Sequence, residues 1–188
     1  MAYTAEVIAT RPFHTLDDYV QVEEDSAIRH ELVGGVIMAM AGGTVEHGRL
    51  SGNTITQLNI ALRGTGCVVL SSDVRVGHAQ GDFRAYPDAT VLCGAPTYAN
   101  KPAHTLTNPR FLVEVLSEGT AAYDRGAKLE GYQAIPSVEA VIFVSQEARA
   151  ITVVRRAGER FETSQHGAGE RFLLPGVAAA LTVDSIYD

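Results

Sequence analysis

The spacing of apolar residues changes period along this chain, and each change marks an element. Leu50, Ile55, Leu58, Ala61 and Leu62 recur at helical spacing between residues 46 and 63, with Gly64 and Gly66 behind them. This predicts an amphipathic helix that ends at the glycines. Upstream, Thr15 followed three places later by Asp18 resembles a capping box and predicts a short helix over 16–24. A Gly34-Gly35 pair between the runs Arg29 to Val33 and Val36 to Met40 predicts a β-hairpin with Glu31 on its first arm.

Beyond the long helix the pattern turns to strands. Short apolar runs at 67–70, 74–76, 88–93 and 111–116 read as strands, the last being the most apolar. The polar stretch 77–84 reads as a mobile loop at the mouth of any site, and 94–109, with three prolines, as a long loop. A helix is predicted over 123–134, stopped by Pro136. On it Asp124, Lys128 and Tyr132 are spaced four apart and share one face, while Leu129 and Ile135 can pack on a sheet. Strands follow at 139–144, 150–156 and 160–165, with further segments at 171–174 and 181–187. A strand, helix, strand passage from Phe111 to Val144 favours a parallel crossover, so the expected fold class is α/β with a mixed sheet.

A chain of 188 residues with 46% hydrophobic residues can build one substantial core, so a single domain over 1–188 is expected. The net charge of -7 repels nucleic acid unless metal ions or a local basic patch offset it. Residues 1–12 lack the basic start and apolar run of a leader, and no segment is apolar enough to span a membrane. A cytoplasmic protein with no membrane partner is therefore expected. Cys67 and Cys93 each fall in an apolar run, where a free thiol behaves as a small hydrophobe. Their number and spacing suggest neither a zinc site nor a disulfide framework.

The candidate chemistry lies between Tyr86 and Lys128. Asp88 opens one apolar run, and Glu114 lies within another with Leu112 and Leu116 on its own face. A carboxylate in such surroundings loses several kcal/mol, or takes up a proton, unless something positive sits beside it. Lys128 or a metal ion would meet that need. Phosphodiester hydrolysis requires an activated water and neutralised phosphate charge, which Mg²⁺ held by carboxylates supplies. Mg²⁺ takes oxygen ligands and keeps several waters, so Asp88, Glu114 and Glu31, with the main-chain carbonyl of Val115, suffice as metal ligands; Mn²⁺ is an expected substitute. Lys128 would orient water or balance negative charge. Asp124 and Lys128 also fit an ordinary surface ion pair, His47 a solvated helix-start residue or a phosphate contact, and Arg125 either phosphate or solvent.

These residues carry a resemblance. Arg29-His30-Glu31-Leu32-Val33-Gly34-Gly35, His47 at the start of the long helix and Tyr86-Pro87-Asp88 are similar to elements of the Uma-type family of restriction-endonuclease-like proteins. That family is a branch of the PD-(D/E)xK nuclease superfamily. The most specific match is Val113-Glu114-Val115-Leu116-Ser117 running into Tyr123-Asp124-Arg125-Gly126-Ala127-Lys128-Leu129-Glu130-Gly131-Tyr132. Where the superfamily usually places its lysine, two residues after the acid, this chain has Leu116; the resemblance makes Lys128, on the next helix, its equivalent. It implies a restriction-endonuclease-like core, a central mixed β-sheet flanked by helices. It also implies a Mg²⁺-dependent DNA endonuclease acting as a homodimer, with Asp88, Glu114, Lys128 and Glu31 as catalytic residues. Two alternatives stay open: a catalytically inactive nuclease-fold binding or regulatory protein, and a metal-dependent hydrolase of a smaller phosphate ester.

Overall fold

The computed structural model describes residues 13–40, 42–117, 119 and 121–188, so the expectation for residues 1–12 lies outside the described residues. Thr15 and Asp18 form the capping box and open α1, Leu16–Asp25. The hairpin follows as β1 (His30–Val33) and β2 (Val36–Ala39), with Val33 opposite Val36. Its two-residue turn needs φ above zero at both central positions, and Gly34 (57°) and Gly35 (74°) supply it. Thr44 caps the long helix α2, Val45–Ala61.

Four strands then alternate with loops: β3 (Cys67–Ser71), β4 (Val76–Gly77), β5 (Arg84–Ala85) and β6 (Ala89–Cys93). The next, β7 (Phe111–Leu116), is buried along its whole length. A helical passage comes next, made of α3 (Ala121–Tyr123), a π-helical turn over Asp124–Lys128 and α4 (Leu129–Gln133). The chain closes with β8 (Ala140–Ser145), β9 (Ala150–Ala157), β10 (Arg160–Gly167), β11 (Arg171–Phe172), β12 (Leu181–Thr182) and α5 (Val183–Tyr187). No helix among the described residues is long and apolar enough to cross a membrane.

The central sheet has six strands in the order β10-β9-β8-β7-β6-β3. It is mixed, because β7 and β8 run parallel across the helical passage while the other pairs are antiparallel. A second, four-stranded sheet has the order β2-β1-β5-β4, and β11 pairs with β12. Strand alternation splits the apolar residues of β7 between two layers. Phe111, Val113 and Val115 pack with Leu50 and Leu58 of α2 and Ile186 of α5. Leu112 and Leu116 face Tyr132, Ile135, Val76 and Phe83 on the other side. Glu114 shares that second face.

Two expectations are overturned. Cys67 and Cys93 form a disulfide, because the β3–β6 register sets them directly opposite each other across 26 residues of sequence. Stretch 77–84 does not lie at the mouth of the site: it takes no part in the cavity lining, and its ends are packed while 79–82 are exposed. Phe83 is buried, and Arg84 is 1% exposed, donating to the carbonyls of His78, Gly81, Phe83 and Lys101. A guanidinium with several fixed donors closes such a stretch on itself. This packed stretch lies against α4, where a Cβ on Gly131 would come within 2.1 Å of the Phe83 ring.

Gly131→Ala is therefore expected to destabilise the protein by about 1–3 kcal/mol through overpacking, although alanine is by about 1 kcal/mol the better helix former. A lower urea midpoint at unchanged slope checks this.

Candidate active site

Each predicted site residue is placed by backbone pairing. The antiparallel register that sets Ala89 against Val113 brings Asp88, one residue before β6, alongside Glu114 in β7. The Val115 N–H donates to Asp88 Oδ2 at 2.7 Å and ties the two strands at that point. Glu31 arrives from β1, where the N–H of Tyr86 donates to its Oε1 at 2.8 Å. Lys128 comes from the end of the π-helical turn. That turn is kinked at Gly126 (φ -98°, ψ -118°), and Asp124 and Lys128, four residues apart on either side of it, are both buried.

Lys128 is 5% exposed and sits among three carboxylates. Its ammonium lies 2.9 Å from Glu114 Oε1, 3.0 Å from Glu31 Oε1 and 3.6 Å from Asp124 Oδ1. Two phenols complete the shell. Tyr132 donates to Glu114 Oε1, and Tyr123 donates to Glu31 Oε2 at 3.2 Å. On the other side of the site, His47 Nε2 from α2 lies 3.3 Å from Asp88 Oδ2. The Asp124–Lys128 pair is therefore interior rather than a surface ion pair, while Arg125 is exposed.

The electrostatics follow from one ammonium serving too many carboxylates. Burial pushes the Glu114 carboxyl well above the ordinary range, against the pull of Lys128 and with Asp88, Asp124 and Glu31 adding to the rise. Burial works against the charge on Lys128, yet Glu114, Glu31 and Asp124 outweigh it and raise its pKa. The hydrogen bond to Asp88 raises His47 above 6.5, against its partial burial. Burial, then the neighbouring glutamates, keep Tyr123 and Tyr132 protonated and hence able to donate.

All of these groups except Tyr132 line one cavity of about 340 Å³, with Met40, Thr44 and Gln146 at other points of its wall. Among the described residues no three His, Cys, Asp or Glu side chains form a ready-made metal cage. The donor set still suits a hard cation, which needs only two carboxylates when it keeps waters. Among the described residues the polar contacts of Asp88 fall on Oδ2 and those of Glu114 on Oε1. Glu31, expected as a third ligand, has both oxygens engaged by Lys128, Tyr86 and Tyr123. The sequence reading missed Tyr123 and the Tyr86 N–H. Tyr123 stands five residues before Lys128, off the ordinary helical period, and Gly126 between them was the one signal of a kinked turn.

Lys128→Met leaves buried carboxylates without their cation and is expected to cost about 3–5 kcal/mol in urea unfolding at neutral pH. The cost should shrink in a Glu114→Gln background, where one of those charges is gone. For His47 the folded pKa lies above the unfolded value of 6.5, so its stabilisation is fully present below that value and is lost as pH rises through the raised one. In chelator-treated protein, His47→Gln should be less stable than wild type below about pH 6.5 and equal to it in alkali, as a denaturant series at several pH values reads directly.

Residues 16–184 match the Uma2 family, described as "Putative restriction endonuclease". Two curated relatives come from Synechocystis sp. The uncharacterized protein slr1290 is 30% identical over 179 residues, covering 94% of this chain and 93% of that protein. The uncharacterized protein sll1609 is 28% identical over 154 residues, covering 82% and 87%. The crystal structure of "a putative nuclease belonging to DUF820" from Anabaena variabilis superposes with a TM-score of 0.71 at 15% identity, over 92% of this chain and 97% of that one. At that identity the likeness establishes the fold, a nuclease-type α/β core with a mixed central sheet. The family match, which runs from the first residue of α1 into α5, makes this chain a member of the Uma2 family.

Proposed function

We propose that this protein is a Mg²⁺-dependent endonuclease that hydrolyses DNA phosphodiesters in the cavity around Asp88, Glu114 and Lys128. One observation carries the reading: four carboxylates, Glu31, Asp88, Glu114 and Asp124, share a cavity with the single ammonium of Lys128. Fully ionised, that set has three negative charges in excess before His47 is counted. A low-dielectric cavity relieves such an excess by taking up a proton, for which Glu114 with its raised pKa is placed, or by binding a further cation, and we adopt the cation.

Asp88 and Glu114 would hold Mg²⁺ through the oxygens that take none of the bonds above, with the carbonyl of Val115 as a main-chain donor. When bound, the ion supplies a water of lowered pKa and neutralises charge on the phosphate. The rest of the work falls to the chain. Lys128, immobilised by Glu31 and Glu114, orients the attacking water and offsets charge developing on the phosphoryl oxygens. Glu31 acts as a brace on Lys128 rather than as a metal ligand. His47 holds the Asp88 carboxylate and, when protonated, adds a positive charge where a phosphate would enter. The metal also reconciles a DNA substrate with a chain of net charge -7.

A second reading, a hydrolase of a smaller phosphate ester, is favoured by the burial of the acidic groups in a cavity of about 340 Å³. The deciding assay offers supercoiled plasmid, single-stranded DNA and a nucleoside phosphodiester to the purified chain with Mg²⁺, Mn²⁺ or chelator. Metal-dependent DNA cleavage is expected. It should fall to background in Asp88→Asn and by about 10²–10³-fold in Lys128→Met. Cleavage of the small ester alone selects the second reading, and a wild type that cuts nothing, indistinguishable from Asp88→Asn, rejects both.

A further inference from the structure

Tyr132 is fully buried and stands behind the cavity rather than in its lining. It therefore touches neither substrate nor metal, yet its hydroxyl donates to Glu114 Oε1. The ring has no freedom to leave. Phe83 meets it edge-on at 5.4 Å between centroids and 89° between planes. Gly131, the residue before it, lacks the side chain that would collide with Phe83, and His78 Nε2 lies 2.9 Å from the Gly131 carbonyl oxygen. The packed 77–84 stretch thus clamps the helix turn that carries the phenol.

Glu114 Oε1 has two partners, the Tyr132 hydroxyl and the Lys128 ammonium. Lys128 alone could not hold that oxygen in one orientation, because Glu31 at 3.0 Å and Asp124 at 3.6 Å compete for the same ammonium. Tyr132 has a single acceptor among these carboxylates and a ring locked by packing. We propose that Tyr132 is a positioning residue that fixes the rotation of the Glu114 carboxylate and so presents its second oxygen to the divalent cation. This rests on the metal reading above. Tyr187 is also buried and donates its hydroxyl, but to the Ser145 and Ala150 carbonyls and outside the cavity lining, so it serves as the control.

The test is Mn²⁺ binding to the full chain, followed by titration calorimetry and by the Mn²⁺ electron paramagnetic resonance signal. Removing a hydrogen-bond partner of a metal ligand weakens metal affinity by about 10–100-fold, and that loss is expected for Tyr132→Phe. Tyr187→Phe should leave the Mn²⁺ affinity unchanged. In a Glu114→Gln background Tyr132→Phe should have no further effect. Wild-type affinity in Tyr132→Phe, or an equal loss in Tyr187→Phe, overturns the assignment alone. A wild type that does not bind Mn²⁺ overturns it together with the metal reading. Should Tyr132→Phe fail to fold, 3-fluorotyrosine at position 132 keeps the ring and strengthens the donor. An unchanged Mn²⁺ affinity there also overturns the proposal.

Discussion

The ammonium of Lys128, buried among Glu31, Glu114 and Asp124, holds the candidate site of this protein together. Each carboxylate comes from a different part of the fold: the hairpin strand, the central strand, and the lysine's own helical turn. None could sit in that interior alone, since an unpaired buried charge costs several kcal/mol. The lysine is equally dependent on them, because burial by itself would strip its proton. Two sheets and a helix therefore meet at this point because one cation makes their acids tolerable, and the incomplete neutralisation leaves the cavity suited to a second.

The geometry depends on two departures from regular structure. Asp124 and Lys128, four residues apart, share the inward face of the helical passage, and the kink at Gly126 (φ -98°, ψ -118°) lies between them. The contact between Gly131 and Phe83 then sets how closely that helix lies to the rest of the chain. Arg84 makes the contact rigid by closing the 77–84 stretch on its own carbonyls. A segment with the composition of a surface loop thereby becomes a wall of the second core layer. It meets the face of the central strand that carries Glu114 through the cluster of Phe83, Tyr132, Leu112 and Leu116.

Much of the fold was legible in the chain. The capping box at Thr15, the Gly34-Gly35 turn, the helix around Leu50 and Leu58, and the parallel crossover from Phe111 all announce themselves by local period and turn chemistry. The same holds for the acidic residue within the strand Phe111–Leu116, where alternation puts a charge on an apolar face. Three features were not legible. The Cys67–Cys93 pair depends on strand register across 26 residues, which no local pattern encodes. The inward turn of Phe83 depends on a helix still to come in the sequence, and that of Arg84 on carbonyls of its own stretch and of Lys101. The phenols of Tyr123 and Tyr132 gain meaning only once their glutamates are beside them.

Local order, element type and the identity of the ionisable groups were determined by the residues themselves, because period, caps and turns act over a few positions. Which oxygen of which carboxylate meets the lysine, and which takes none of the bonds described, was decided only by the tertiary structure. A charge among neutral neighbours specifies that it needs a partner but not which one. That choice is made when elements distant in sequence are packed to within hydrogen-bonding distance.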